Sequence, residues 1–332
     1  MCIRDRVYAG RVALFLTWCD VNGLDWTRAD VEVLAHFKLW LQRTPPRTAP
    51  GDDETLLDTT VVRSGRTVRS YLTAVTEFLR YGATQGVVPR HIADSLVEQK
   101  WIARADVAPE ERRRQTVSVL RVREKKSPIK WLTDAQVQSL RGACRSERDR
   151  FIVTHLRETG ERVGEMLGTR ISDMHLLTDS RRLGCSIVGP HVHVVRRDDN
   201  ENGALAKSGA RSIPVTTRYV DAYLEYRAER AERCGFASDF AFVNVNAEPL
   251  GSPVTYSSVY EMLQRAGRRA GLVVTPHMLR HSFGTRLVTN GVDLDVVREL
   301  MGHADISTTG IYLHADDRRR RAAVEQTFGA QS

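Results

Sequence analysis

Apolar positions in the first hundred residues recur with the spacing of short helices. Residues 7–18 and 31–41 show this periodicity, and residues 44–60, rich in Pro and Asp, are predicted to form a loop. A third helix is predicted to begin after Ser64, whose hydroxyl suits an N-cap. At about 100° per residue, one face of this helix collects the apolar side chains Val68, Tyr71, Leu72, Val75, Phe78 and Leu79. The pattern predicts an N-terminal domain of short helices.

The opposite face of the third helix is basic, with small polar side chains between the arginines. It consists of Arg66, Arg69, Ser70, Thr73 and Arg80. Such a face suits a helix that enters a DNA groove and touches phosphates. A solvated outer face would have the same composition, and the helix taken alone favours that second interpretation.

A second domain is predicted after Pro128. Thr133 and Gln136 have the spacing of a capping box, for a helix that runs to about Cys144. The later predicted elements are helices over 148–167 with a break near Thr159-Gly160, strands over 192–197 and 212–215 with turn residues at 198–203, and helices from Tyr219 to the end. The sequence therefore predicts a mostly α protein with a small β-sheet in its second domain.

The charge of the chain points to a polyanionic partner. The net charge is +8 and the pI is about 9.4, which favours nucleic acid without proving it. Residues 104–130 hold nine Lys or Arg against four Asp or Glu, together with Pro109 and Pro128. This segment is predicted to be a linker along a phosphate backbone, or else a merely solvated charged linker. The predicted regions are thus a helical domain over 1–105, a basic linker over 106–130 and a second domain with a C-terminal tail over 131–332.

Composition excludes several other classes of protein. No run of apolar residues is long enough for a membrane span, and the start of the chain lacks the pattern of a secretory signal. We interpret residues 1–6 as non-native and accordingly expect the true start to lie outside this sequence. The five cysteines (Cys2, Cys19, Cys144, Cys185 and Cys234) are scattered, and no pair has metal-site spacing. They are predicted to be reduced thiols of a cytosolic protein.

Candidate chemistry is concentrated in two segments. Thr159-Gly160-Glu161-Arg162-Val163-Gly164-Glu165 supplies one arginine and a carboxylate, and the last quarter of the chain supplies His277, Arg280, His281, Gly302-His303 and Tyr312. A phenol has a pKa of about 10 and needs help to attack a phosphodiester at neutral pH. The planar fork of arginine binds two phosphate oxygens at once and keeps its charge. A site that cleaves DNA with a tyrosine therefore needs paired arginines, a proton acceptor for the phenol and an acid for the leaving oxygen.

Helix geometry supports the cluster around Arg280. Thr275 suits an N-cap and Pro276 the first helical position, so that His277, Arg280 and His281 share one face at i, i+3 and i+4. A surface cluster of histidine and arginine remains an alternative. A zinc site at the two histidines is disfavoured, because no Glu stands where a zinc-hydrolase helix has one. Asp293 is predicted to cap the following helix and Gly302 to end it.

Taken together, these motifs resemble the tyrosine recombinases, the phage-integrase family. The family's T-G-x-R-x-x-E segment matches Thr159, Gly160, Arg162 and Glu165, and its H-x-x-R, G-H and nucleophile match His277 with Arg280, Gly302 with His303, and Tyr312. The family's catalytic lysine lies in a β-turn, where Lys207 is the candidate and Arg211 the competitor. The motifs span about residues 130–315, and residues 196–208 are similar to transposon-associated members.

The resemblance implies a fold and a reaction. The fold would be an N-terminal SAM-like helical core-binding domain and a C-terminal α+β catalytic domain that together clamp duplex DNA. The scissile phosphate would be held by Arg162, Arg280 and His303, and Glu165 would orient the arginines. Tyr312 would attack the phosphate to give a 3′-phosphotyrosyl link. His277 would take the phenol proton, and Lys207 would protonate the leaving oxygen. Candidate DNA contacts are Arg66, Arg69, Thr73, Arg80 and His281.

The resemblance also implies the surroundings of this reaction. The expected partners are double-stranded DNA, a homo-tetramer on two DNA sites, and accessory or sister recombinases, with neither a metal nor another cofactor and no membrane. The expected location is the cytoplasm, at the nucleoid. Two other functions remain open: a type IB topoisomerase, which shares the chemistry without strand exchange, and a catalytically silent DNA-binding protein.

Overall fold

The computed structural model describes residues 3–45, 63–102, 113–122, 130–206 and 208–302. The chain forms two compact units, Met1–Ser127 and Pro128–Ser332. Within the described residues it is mostly helical with small antiparallel sheets, as the sequence predicts. None of the described helices combines the length and the apolar character needed to cross a bilayer.

The first unit is a set of helices followed by a β-hairpin. Its elements are α1 (Ile3–Val21), α2 (Val31–Arg43), α3 (Gly65–Thr84), α4 (Arg90–Ser95), β1 (Val97–Ile102) and β2 (Arg113–Ser118). Ser64 caps α3 as predicted, its hydroxyl accepting a hydrogen bond from the backbone N–H of Thr67 at 3.2 Å. The predicted apolar face of α3 packs into the core of this unit beside Phe15 and Phe37. The predicted loop over 44–60 lies, beyond its first two residues, outside the described residues.

The hairpin occupies part of the segment predicted to be a linker. β1 and β2 pair antiparallel from Val97 opposite Ser118 to Ile102 opposite Arg113, and Val122 is buried in the core of the first unit. The charges around residue 113 conceal the strand in the sequence. Its pairing is not local either, because paired residues of β1 and β2 are 11 to 21 positions apart. The first unit therefore extends at least to Val122.

The second unit combines helices with a three-stranded antiparallel sheet. The helices are α5 (Asp134–Gly142), α6 (Glu147–Thr159), α7 (Val163–Met166), α8 (Thr217–Arg233), α9 (Tyr256–Arg269), α10 (Pro276–Thr289) and α11 (Leu294–Met301), and the strands are β3 (Met174–His175), β4 (His191–Val194) and β5 (Arg211–Pro214). The sheet order is β3-β4-β5. The capping box of Thr133 and Gln136 and the break after Thr159 are confirmed.

One predicted feature of the second unit is wrong. Helices were expected from Tyr219 to the end, but the residues between α8 and α9 form no helix and make isolated bridges such as Val243 with Pro253. The buried guanidinium of Arg230 explains this fold, because it donates to the backbone carbonyls of Gly235, Ser238 and Phe240. A buried non-helical backbone needs such partners for its polar groups.

Candidate active site

The short turn between α6 and α7 carries Arg162. This residue is the N-cap of α7, and its backbone N–H donates to Glu165 Oε2 at 3.0 Å. Its side chain turns back as well, with Nη1 3.0 Å from Glu165 Oε1 and 3.1 Å from Ser208 Oγ. The Arg162 side chain remains 28% exposed. Arg162 is thus held in place by a carboxylate while part of it faces solvent.

Glu165 is the centre of a buried polar cluster. Its side chain is fully buried, and Arg211 Nη2 donates to Glu165 Oε2 at 2.9 Å. Arg211 also donates to Ser208 Oγ at 3.0 Å and to the carbonyl of Leu300 at 2.9 Å, while Ser208 Oγ donates to Glu165 Oε1. One carboxylate therefore orients two arginines.

Hydrogen bonding decides the charge of Glu165. Burial alone would raise the pKa of this carboxyl, but hydrogen bonds from Arg211, Ser208 and the backbone of Arg162, with the charge of Arg211, outweigh it and lower the pKa to about 2. Glu165 is therefore ionised at neutral pH. The same contacts disfavour Arg211 as the proton donor, since its side chain is only 7% exposed and its guanidinium binds Ser208, Glu165 and the carbonyl of Leu300.

A pH-dependent contribution to stability follows from this pKa. Because the pKa is depressed in the folded state, the contribution is complete above about pH 4.5 and is lost as the pH falls toward 2. A shift of this size corresponds to about 3 kcal/mol. We expect the difference in unfolding free energy between wild type and Glu165→Gln to be largest above pH 4.5 and to shrink below it, in denaturant titrations across pH. Glu261→Gln, at an exposed ion pair with Arg265, is the control, and a difference for Glu165→Gln that does not change with pH would contradict the assignment.

Glycine is required at position 160 for two reasons. Gly160 ends α6 in the left-handed backbone conformation, with φ of 61°. Residues other than glycine adopt this conformation only at a cost in free energy. A Cβ atom at this position would also lie 2.2 Å from the ring of Phe283 on α10. The Thr159–Glu165 motif and the helix that carries His277 and Arg280 therefore come into contact at this glycine.

Gly160→Ala is expected to destabilise the second unit by about 2 kcal/mol or more, from backbone strain and from the collision with Phe283. The measurement is chemical denaturation of the full chain. Gly142→Ala is the matched control, because a Cβ there meets no atom within 4 Å. Equal stabilities of the two variants would show that Phe283 yields without cost.

Arg280 joins the two motifs directly. It is buried on α10, and its guanidinium donates through Nη1 to the carbonyl of Gly160 and through Nη2 to the carbonyl of Met301. Gly160 and Arg280 are 120 positions apart in the chain. The contact brings the α6–α7 turn, α10 and the end of α11 to one place.

Glu161, between two motif positions, places a buried carboxylate beside the same turn. Its side chain is fully buried, with a carboxylate oxygen 3.4 Å from His155 Nε2. His155 Nδ1 in turn lies 2.7 Å from the hydroxyl of Tyr219. The motif alone did not indicate this role, which depends on α8.

The histidines of α10 lie on its outer side. His277 is exposed and His281 half-buried, with ring centroids 6.2 Å apart, whereas Arg280 turns inward. Burial, with the charges of His277 and Arg280, lowers the pKa of His281, so its imidazole is neutral at neutral pH. Thr275 and Asp293 occupy the predicted N-cap positions of α10 and α11, but neither side chain makes a capping hydrogen bond.

Gly302 brings the end of α11 against the polar cluster. Its φ is 61°, and a Cβ atom there would lie 2.7 Å from Arg211 Nη1 and 2.9 Å from Ser208 Oγ. Position 302 thus needs glycine for its conformation and for its close approach. The G-H motif begins beside the cluster that holds Arg162.

Three predicted site residues, Lys207, His303 and Tyr312, lie outside the described residues. Among their described neighbours, Ser208 contacts Arg162 and Gly302 lies beside Arg211. The contacts of Ser208, and the use of Arg211 as a partner of Glu165, are features that the sequence did not reveal.

The predicted DNA-binding residues of the first unit lie on the outer side of α3. Arg66, Arg69 and Thr73 are exposed, but Arg69 Nη2 donates to the carbonyl of Val122 at 3.1 Å and Arg80 pairs with Glu77 at 3.0 Å. Two of the three arginines therefore also have partners within the unit.

The residues of this site lie within a segment that matches a known protein family. Residues 130–319 match the phage integrase family, which is more than half of the chain. The chain belongs to the phage integrase family. It is accordingly a tyrosine recombinase, an enzyme of site-specific DNA recombination.

Relatives of this integrase-family chain include a transposon protein. It is 28% identical over 316 residues to transposase A from transposon Tn554 of Staphylococcus aureus, covering 94% of this chain and 82% of the relative. It is 33% identical over 184 residues to tyrosine recombinase XerD of Listeria monocytogenes, covering 54% of each protein.

Solved structures show the same fold. The Tn1549 transposon integrase in complex with transposon right-end DNA superimposes with a TM-score of 0.62 at 18% identity, covering 98% of this chain and 94% of that one. The XerH recombinase in a post-cleavage complex gives a TM-score of 0.52 at 22% identity, covering 79% and 67%. The fold of a tyrosine recombinase is therefore confirmed.

Proposed function

We propose that this recombinase belongs to a mobile element and cleaves and rejoins duplex DNA through Tyr312. The observation that carries the proposal is the contact of Arg280 with the carbonyl of Gly160, two positions before Arg162. It brings the motif of Arg280 to the turn that carries Arg162, so that arginines from two distant motifs meet at one place, as phosphoryl transfer requires. The similarity to transposase A over 94% of the chain supports the mobile-element assignment.

The proposed reaction exchanges one phosphodiester for another. The phenol oxygen of Tyr312 forms a bond to phosphorus, the bond from phosphorus to the 5′ oxygen breaks, and a 3′-phosphotyrosyl link results. His277 takes the phenol proton and Lys207 supplies a proton to the leaving oxygen. The reverse steps rejoin the strand without a change in the number of phosphodiester bonds, so the scheme needs neither ATP nor a metal.

Arg162, Arg280 and His303 bind the non-bridging oxygens of the scissile phosphate in this scheme. Glu165 acts through the arginines and is a positioning residue, because its charge holds Arg162 and Arg211. His281, neutral and on the same outer side of α10 as His277, is assigned a contact with DNA.

The first unit is assigned the recognition of the core DNA site. Arg66, Arg69, Thr73 and Arg80 on α3 would contact its groove and phosphates. We keep the order of binding domain, basic linker and catalytic domain, with the binding domain extended from residue 105 to at least Val122 and the catalytic domain at 131–332. The hairpin of β1 and β2 places Arg113 in a strand of the first unit, so only part of the linker region connects the two units.

Recombination of two DNA sites calls for several protomers. We propose a homo-tetramer on two duplexes, with accessory or sister recombinases as further partners and a location in the cytoplasm at the nucleoid. Size measurements on the complex with DNA, by light scattering, would test the tetramer directly.

The deciding experiment incubates the full chain with DNA from both flanks of its gene, in EDTA, with nicked suicide duplexes included. The expected product is an SDS-stable, protease-sensitive adduct whose attached peptide maps to Tyr312 by mass spectrometry. Tight binding without adduct on any nicked substrate would overturn the proposal in favour of a silent DNA-binding protein. Relaxation of supercoiled DNA without site preference would favour the topoisomerase.

A further inference from the structure

Four side chains that the proposed reaction does not use meet at one end of the three-stranded sheet. His175 on β3 lies directly opposite His191 on β4, and His193 is two positions further on the same face. Cys185 comes from the loop between these strands. Its Sγ lies 3.3 Å from His191 Nε2 and 3.5 Å from His193 Nε2, and the two Nε2 atoms are 3.0 Å apart.

Hydrogen bonds to backbone carbonyls indicate which ring nitrogen carries the hydrogen in two of these imidazoles. His191 is fully buried, and its Nδ1–H donates to the carbonyl of Gly189 at 2.7 Å, which leaves Nε2 with a lone pair directed at Cys185 and His193. His175 Nε2–H donates to the carbonyl of Ser172 at 3.1 Å, which leaves Nδ1 with a lone pair. Backbone carbonyls orient histidine ligands of metal ions in this way.

The loop between β3 and β4 is built to return Cys185 to the strands. Asp179 and Val188 form a bridge at its base, and Gly189 N donates to the carbonyl of Thr178 at 3.1 Å. Gly184 takes a φ of 75° immediately before the cysteine, a conformation that favours glycine. The position of Cys185 is therefore determined by the backbone of the loop.

We propose that His175, Cys185, His191 and His193 bind a zinc ion. The ligand atoms of all four lie within 4.8 Å of one another. Tetrahedral zinc with bonds of about 2.05 Å to nitrogen and 2.3 Å to sulfur places its ligand atoms about 3.4 Å (N to N) and 3.6 Å (S to N) apart. The observed separations of 3.0, 3.3 and 3.5 Å approach this shell.

A hydrogen-bonded cluster without metal is the competing interpretation, and it explains less. His193 Nε2–H and the thiol could both donate to the lone pair of His191 Nε2. His175 Nδ1 would then stay buried without any hydrogen-bond partner among the described residues, as it is here. An unsatisfied buried acceptor destabilises the fold, whereas zinc uses this lone pair.

Zinc binding at this site releases one proton and forms four bonds from ligand to metal. The Cys185 thiol loses its proton to solvent as the bond from sulfur to zinc forms, and three neutral imidazoles donate lone pairs. Four protein ligands close the coordination shell, so the ion is structural and activates no water. It ties the loop over residues 176–190 to β4, whose partner β5 carries Arg211 to Glu165.

The test uses the full chain, produced without a histidine tag. Elemental analysis is expected to find about one zinc per chain. After chelator treatment, added Co²⁺ is expected to give the visible bands of a tetrahedral ion and a charge-transfer band from thiolate to cobalt. Wild type without zinc, and with only the weak spectrum of octahedral cobalt, would overturn the proposal without reference to any variant.

Matched variants locate the site. Cys185→Ser is expected to lose the charge-transfer band. His193→Ala is expected to weaken Co²⁺ binding by more than about 10-fold, because loss of a residue that only orients a ligand already lowers metal affinity by about that factor. Cys234→Ser removes a half-buried thiol elsewhere in the same unit and is expected to keep both the metal and the band. A charge-transfer band retained in Cys185→Ser would place the metal elsewhere. These readouts do not involve DNA cleavage, so they test the zinc site independently of the proposed function.

Discussion

The Tyr312→Phe protein is expected to bind its DNA site as tightly as wild type and to form no covalent adduct. The substitution removes only the phenol oxygen, which is the attacking atom of the proposed reaction. Loss of a nucleophile is expected to reduce the rate by at least about 10⁴-fold, which brings the adduct to the background of the assay. The measurement pairs a gel-shift titration with SDS gels of nicked duplexes under single-turnover conditions.

Tyr256→Phe is the control for this experiment, because Tyr256 is an exposed tyrosine of the same unit at the start of α9. It is expected to bind and cleave like wild type. An adduct formed by Tyr312→Phe at the wild-type rate would place the nucleophile at another residue. Weakened binding by Tyr312→Phe would mean that the tyrosine contributes to DNA affinity as well.

Arg162→Lys is expected to slow adduct formation by about 10²–10³-fold, the effect of removing one oriented donor from a developing oxyanion. Lysine keeps the charge but lacks the planar fork that spans two acceptors. In wild type, Arg162 Nη1 contacts both Glu165 Oε1 and Ser208 Oγ while the guanidinium stays partly exposed. A lysine cannot keep these contacts and hold a phosphate with the same geometry.

The readout must separate chemistry from folding, because Arg162 lies beside a buried carboxylate. Single-turnover rates at saturating DNA are compared with the melting temperature of the same preparations. Arg218→Lys, at an exposed arginine of α8, is expected to leave both unchanged. A rate for Arg162→Lys equal to that of Arg218→Lys would show that Arg162 does not hold the phosphate.

Local features of the fold could be predicted from the sequence because they depend on neighbours a few positions away. The Ser64 cap and the capping box of Thr133 and Gln136 each involve residues three positions apart, and the break at Gly160 needs only a glycine after a helix. Strand positions near β4 and β5 were also predicted to within a few residues. Helices expected between Arg233 and Tyr256 were wrong, because the partners of that backbone come from the buried side chain of Arg230.

The candidate site was predictable as a set of residues and not as an arrangement. The order of Arg162, Glu165, His277 and Arg280 is enough to indicate the family, since each motif is short and ordered. From the sequence, Arg211 was predicted only as a competitor of Lys207 for the role of proton donor. In the fold it is instead a hydrogen-bond partner of Glu165. Likewise, a search for paired cysteines passed over Cys185, because its neighbours are histidines on two paired strands.

The sequence by itself determined the helical periodicity, the caps, the basic character and the recombinase motifs, all of which are properties of neighbouring residues or of residue types. Only the tertiary structure decided that Arg280 contacts Gly160, that Glu165 is buried and ionised between two arginines, and that three histidines surround Cys185. These contacts join residues far apart in the chain, and burial then alters the hydrogen bonding and the pKa of the groups involved. Neither effect can be read from the order of residues, because both arise when packing removes water from between them.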